Sequence, residues 1–168
     1  MKTRNMLSLL AVVASASATG AFAADDAAID AVARGRYLVA VAGCNDCHTD
    51  GYIQNDGRIP EAKWLEGSAV GFSGPWGVSY PSNLRLVAAG LDEDGWKARV
   101  RKGGLPPMPW PSLRAMSDAD LVAVHRYLRA LGPGGVPAPQ ALAPGQPITT
   151  PHFVFVPQPP DRITTSAR

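Results

Sequence analysis

The 168-residue chain carries 16 Lys and Arg against 14 Asp and Glu, has two cysteines, and is of a length that suits one domain with a packed core. It opens with Lys2 and Arg4, an apolar run through Leu7, Leu9, Leu10, Val12 and Val13, and small residues ending in Ala21-Phe22-Ala23, the three zones of a secretory leader. A cut after Ala23 removes two bases and no acid, so the formal charge of +2 falls to zero and the basic surface of a nucleic-acid-binding protein is excluded. The apolar run is shorter than the roughly 20 residues of a membrane span, which makes it an export signal rather than a permanent anchor. The expected product is periplasmic.

From Asp26 to Ala42, the residues Ile29, Ala33, Tyr37 and Val41 recur every fourth position, with Val32 and Ala40 beside them. This predicts a helix with that face inward. Gly35 inside it costs about 1 kcal/mol against alanine, which points to a close packing contact at that position. Between His48 and Leu91 turn signals such as Asp50-Gly51, Asp56-Gly57 and Gly74-Pro75 punctuate the aromatic residues Trp64, Phe72, Trp76 and Tyr80, and no alternating run is long enough to build a sheet.

A short helix is predicted from about Asp92 to Lys102, where Trp96 and Val100 share a face and Gly103-Gly104 end it. The clearest helix follows Ser117, a good N-cap, with Asp118 and Asp120 in the first turn. Leu121, Val124, Leu128 and Leu131 form its stripe, and Gly132-Pro133 stop it. Beyond Leu131, segments such as "GPGGVPAPQ" cannot be helix or central strand, so the tail reads as extended. Within it, "PHFVFVP" is apolar enough to dock as a short strand or clasp.

The two cysteines stand in "AGCNDCHTDG", residues 42–51, with His48 directly after the second. A disulfide between Cys44 and Cys47 closes a tiny loop and constrains almost nothing. A thiol-redox pair is expected to open a helix beside a β-α-β pattern, whereas this pair follows a helix. Structural zinc needs a fourth ligand and usually a second cysteine pair. The haem reading uses all three residues: in C-x-x-C-H the thiols of Cys44 and Cys47 add to two vinyl groups of one haem c, and the His48 imidazole reaches the iron. Export agrees with it, because in bacteria this attachment takes place outside the cytoplasm.

Such an iron needs a sixth ligand or keeps an open face. Met1 and Met6 leave with the leader, so only Met108 and Met116 can supply a thioether. Met108 lies in "GGLPPMPWPS", where Pro106, Pro107, Pro109 and Pro111 make a stiff, non-helical loop able to hold a sulfur in place. Its rival role is that of a core gap-filler. Met116 reads as a core residue at the helix entry. His125 borders the last apolar stripe and His152 lies in the tail, and both are rival ligands.

These residues resemble the monohaem class I cytochrome c family: a helix carrying Gly35 and Tyr37, then "CNDCH", a loop region, "MP", and "MSDADLVAVHRYLRAL". The stretches "GPWGVSYPSNL", "GWKARVRKG" and "PPMPWPSLRAMSDADL" are similar to cytochrome modules that accept electrons from periplasmic dehydrogenases. The resemblance implies an all-α fold, with the N- and C-terminal helices crossing around a covalent haem between long loops. Gly35 against Tyr127 would then be the close contact, and a proline carbonyl, of Pro60 or Pro75, would orient His48. The chain divides accordingly into a signal peptide (1–23), a cytochrome c domain (24–132) and a Pro-rich extended tail (133–168).

The function implied is electron transfer by one haem with His48 and Met108 as axial ligands, a pair that favours ferrous iron. Burial under Trp76, Tyr80 and Trp110 would push the same way. Arg85, Arg99 and Arg101 are candidates for the haem propionates, for an acidic partner, or for a plain solvated face. Expected partners are a periplasmic dehydrogenase or a terminal reductase or oxidase. The rival readings are a haem enzyme or sensor with an open sixth position, the electron-accepting subunit of a dehydrogenase, and a colourless thiol oxidoreductase.

Overall fold

A computed structural model describes residues 19–157. The expected leader as far as position 18, and residues 158–168 of the tail, lie outside the described residues. Helices form at α1 (Thr19–Val41), α2 (Cys44–His48), α3 (Leu84–Ala89), α4 (Glu93–Lys102), α5 (Trp110–Ala115) and α6 (Asp118–Leu131). Helix α1 thus starts before the predicted Asp26 and runs through Ala23, where the cut is expected.

The inward face of α1 differs from the predicted one. Leu38 and Val39 are buried and Val32 packs against the core they belong to, while Tyr37 and Val41 are 56% and 60% exposed. Gly35 decides this. A Cβ there would lie 2.0 Å from the Ala123 carbonyl oxygen and 2.8 Å from the Tyr127 Cβ, both on α6. The missing side chain lets the two backbones meet, and the residues flanking that meeting point are the ones buried. The Gly35–Tyr127 contact implied by the resemblance is therefore present.

Two further links hold this crossing. Arg36 of α1 makes two hydrogen bonds to the Glu61 carboxylate, at 2.9 and 3.0 Å, and the Tyr127 hydroxyl donates to Glu61 Oε1 at 2.7 Å. Glu61 lies in a short 3-10 turn, Glu61–Lys63. The Arg36 bonds hold its carboxyl below the usual range, and burial raises the Tyr127 phenol.

The predicted α4 and α6 form where their caps put them. Asp92 accepts the Gly95 N–H at 2.7 Å, and Ser117 Oγ accepts the Asp120 N–H at 3.1 Å. Trp96 and Val100 of α4, and Leu121, Val124, Tyr127 and Leu128 of α6, are buried in the common core. Ser117→Ala is expected to cost about 1 kcal/mol of stability in urea unfolding, because the Asp120 N–H loses its acceptor.

The all-α expectation needs correction, since a small three-stranded sheet accompanies the helices. Strands β1 (Gly71–Gly74) and β2 (Gly77–Ser79) form an antiparallel hairpin across Pro75-Trp76, and β3 (His152–Val154) runs parallel to β1. Strands of three or four residues with interspersed glycines carry no readable alternation, and β1 finds its second partner only in the distant tail. Phe72 fixes that pairing: its ring stacks on Phe153 and meets the edge of Phe155, each at 5.6 Å between centroids.

Arg85 joins the helical and tail halves. It is 7% exposed, and its guanidinium donates to the carbonyls of Ala62, Leu131 and Gly132 at 2.6–2.8 Å and pairs with Glu66 at 3.2 Å. It thereby satisfies carbonyls at the C-terminal end of α6 that the helix leaves open.

Candidate functional site

Helix α1 ends in a left-handed turn at Gly43, with φ 66°, and the chain enters α2 at once. Five residues, "CNDCH", make up α2, so Cys44 and Cys47 sit one turn apart with His48 closing the helix. The following turn is fixed internally. Thr49 Oγ1 donates to Asn45 Oδ1 at 2.7 Å and accepts the Leu65 N–H at 2.8 Å, while the His48 carbonyl accepts the Gly67 N–H at 2.8 Å.

His48 is 6% exposed, and its Nδ1 donates to the Ser82 carbonyl at 2.8 Å. That bond sets the tautomer and leaves the Nε2 lone pair for another partner. The acceptor is thus neither Pro60 nor Pro75: the backbone brings Ser82, which follows Pro81, to the imidazole instead. Burial pushes the His48 pKa down against the pull of the Ser82 bond, favouring the neutral form that a metal ligand requires.

Cys44 and Cys47 are free thiols. Burial, with help from the Asp46 charge, pushes Cys44 up to about 11 and raises Cys47 as well. A thiol-redox centre needs the opposite shift, toward thiolate, so the environment speaks against that reading. Among the described residues no group of three or more His, Cys, Asp or Glu gathers in a metal-holding cluster.

Cys44, Cys47, His48 and Met108 all line one cavity of about 430 Å³, within the range of ligand and cofactor sites. Tyr80, Trp96 and Trp110 contribute aromatic wall, and Trp76 of the expected trio does not, its indole donating instead to the Phe72 carbonyl at 3.2 Å. Trp96 was legible only as a helix-face residue. It is 5% exposed, and its indole N–H has no acceptor among the described residues, so a polar group on a cavity ligand would satisfy it.

The Met108 loop is pinned from several sides. Ser79 donates its hydroxyl to the Pro106 carbonyl, the Trp110 indole donates to Leu105 O at 3.1 Å, and the Trp110 amide donates to Met108 O at 2.8 Å. Met116 lines the cavity too, which its expected core role did not foresee. The histidine rivals do not line it. His125 is buried, with Nε2 donating to Ala88 O and Leu91 O at 3.3 and 3.0 Å, and His152 is exposed on β3. Of the three arginines only Arg99 lines the cavity, its guanidinium 5.2 Å from the Trp110 ring centre. Arg85 is consumed by carbonyls, and Arg101 by Asp118 at 2.7 Å and Met116 O at 2.9 Å.

Comparison with known proteins adds one relative. The gluconate 2-dehydrogenase cytochrome c subunit of Pantoea cypripedii is 30% identical over 118 residues, covering 60% of this chain. The chain spans about a quarter (26%) of that relative's length. No family model and no solved structure matches. The similarity supports a cytochrome c family. Among the described residues no helix is long and apolar enough to cross a membrane.

Proposed function

We propose that the protein is an exported, periplasmic electron carrier that holds one c-type haem in the cavity lined by Cys44, Cys47, His48 and Met108. The observation that carries this is His48: buried, oriented through Nδ1 by a backbone carbonyl, and lining the same cavity as both thiols and a thioether. When bound, the haem supplies one-electron chemistry between ferric and ferrous iron. Cys44 and Cys47 would tether it by thioether bonds, each S–H adding across a vinyl group. His48 Nε2 and Met108 Sδ would hold its iron, with the imidazole plane fixed by the Ser82 carbonyl, and Tyr80, Trp96 and Trp110 would keep water from the cavity and so favour the less charged ferrous state.

The test is covalency. Exported with the haem-attachment machinery, the wild type is expected to show a low-spin haem spectrum with one haem per chain that stays on the polypeptide in acidified acetone. Cys44→Ser/Cys47→Ser should release it. A colourless protein with a reducible Cys44–Cys47 bridge would overturn the reading in favour of the thiol oxidoreductase.

The named relative favours a more specific version, in which the chain takes electrons as a partner subunit of a dehydrogenase. That version predicts co-purification with a larger protein whose substrate reduces the haem; a terminal reductase or oxidase partner would instead draw electrons from the reduced protein.

A further inference from the structure

We propose that residues 133–157 belong to the haem site itself, as a strap that closes one wall of the cavity and braces the carbonyl that orients His48. This rests on the haem reading above. Pro139 and Ala141 line the cavity together with the cysteines and His48. Leu142, the next residue, exchanges two backbone hydrogen bonds with Val78, both at 2.9 Å. The passage there is tight: Gly77 has φ 95°, and a Cβ on it would lie 2.0 Å from the Leu142 carbonyl oxygen. A side chain at position 77 would displace the strap.

The opposite side of the contact is a single run of chain that also builds the site. Within residues 78–83, Ser79, Tyr80, Pro81 and Ser82 line the cavity, and Ser82 holds the imidazole. The strap grips this run at three points. Val78 pairs with Leu142, the Tyr80 hydroxyl bonds Thr150 Oγ1 at 2.7 Å, and Asn83 Nδ2 donates to the carbonyls of Gly134 at 2.7 Å and Val136 at 3.1 Å. Asn83 is 3% exposed and directly follows Ser82, so its tether acts one peptide away from the carbonyl on His48. Loosening the strap admits water to the cavity, which lowers the potential, and frees the His48 ring from its fixed orientation; both ease entry of outside ligands.

Asn83 is a positioning residue with two separable jobs. Its Oδ1 caps α3 by accepting the Leu86 N–H at 3.0 Å, and its Nδ2 holds the strap. Asn83→Asp keeps the cap acceptor and loses both donors. Leu142→Pro removes the N–H given to Val78 without touching Asn83. In exported, haem-loaded, full-length protein, both variants are expected to show a lower midpoint potential and to bind imidazole at the ferric iron about tenfold more tightly than wild type, the scale on which outer-shell partners act. Wild-type potential and wild-type imidazole affinity in both variants would overturn the proposal. If neither variant folds, hydrogen exchange on the wild type decides: saturating imidazole should speed exchange of the Leu142 and Val78 amides, and unchanged exchange overturns it. A wild type without haem defeats the haem reading and this inference together, whereas a haem-loaded wild type with indifferent variants defeats only the strap.

Discussion

Met108→Ala is expected to lower the midpoint potential of the haem-loaded protein by on the order of 0.1 V, a modest part of the ~0.8 V that axial ligation spans, and to let imidazole or carbon monoxide bind the iron. Met116→Ala is expected to leave both properties unchanged. The two thioethers line the same cavity, so position in it does not separate them. Their backbones do. Met108 sits between Pro107 and Pro109 in a non-helical loop tied through Pro106 to Ser79 and through Leu105 and Met108 itself to Trp110. A weak sulfur–iron bond gains from a ligand whose place is already fixed, because little further ordering is needed on coordination. Met116 follows α5, packs against the hydrophobic core, and gives its carbonyl to Arg101, the setting of a gap-filling side chain. Potentiometric titration of the two variants, followed optically, distinguishes the outcomes. An effect confined to Met116→Ala would exchange the ligands; no effect from either would indicate an open sixth position and move the protein to the enzyme or sensor class.

Local signals were legible in the sequence, and long-range ones were not. Helix α6 is predicted by an N-cap, a stripe and a terminating glycine, and α4 by a shared face and its terminating glycines, features that lie within a few residues of one another. The cysteine pair and its histidine were equally local. The acceptor for His48 was not, because a backbone carbonyl has no signature in residue type, and Ser82 reaches the imidazole from 34 residues away. The same distance problem hid the sheet: "PHFVFVP" reads as a short strand or clasp, but nothing local names its partner β1, 81 residues back in the Phe72–Phe153 pairing. For α1 the error was one of weighting. Fourfold spacing favoured Tyr37 and Val41, while the single glycine at 35 carried the stronger information about which face meets α6.

That weighting gives the second large effect. Gly35→Ala places two forces in opposition: alanine gains about 1 kcal/mol of helix propensity over glycine, and the added Cβ meets a backbone oxygen at 2.0 Å. Packing wins, because the obstacle is the Ala123 carbonyl of α6 and no side-chain rotation can remove it. The variant is expected to lose about 3 kcal/mol net, the upper end of overpacking costs, and to melt roughly 10 °C lower. Gly90→Ala is the control, since φ there is −90° and a Cβ would meet nothing nearer than 3.8 Å; it should stay within about 0.5 kcal/mol of wild type. Thermal and urea unfolding of both variants measure this, and a Gly35→Ala protein more stable than wild type would show that α1 and α6 do not meet at this point. The consequence reaches the cavity as well. Helix α1 passes through only Ala42 and Gly43 before Cys44, so an α1 pushed away from α6 carries the two thiols and His48 with it, and Gly35→Ala protein should also take up less haem during export.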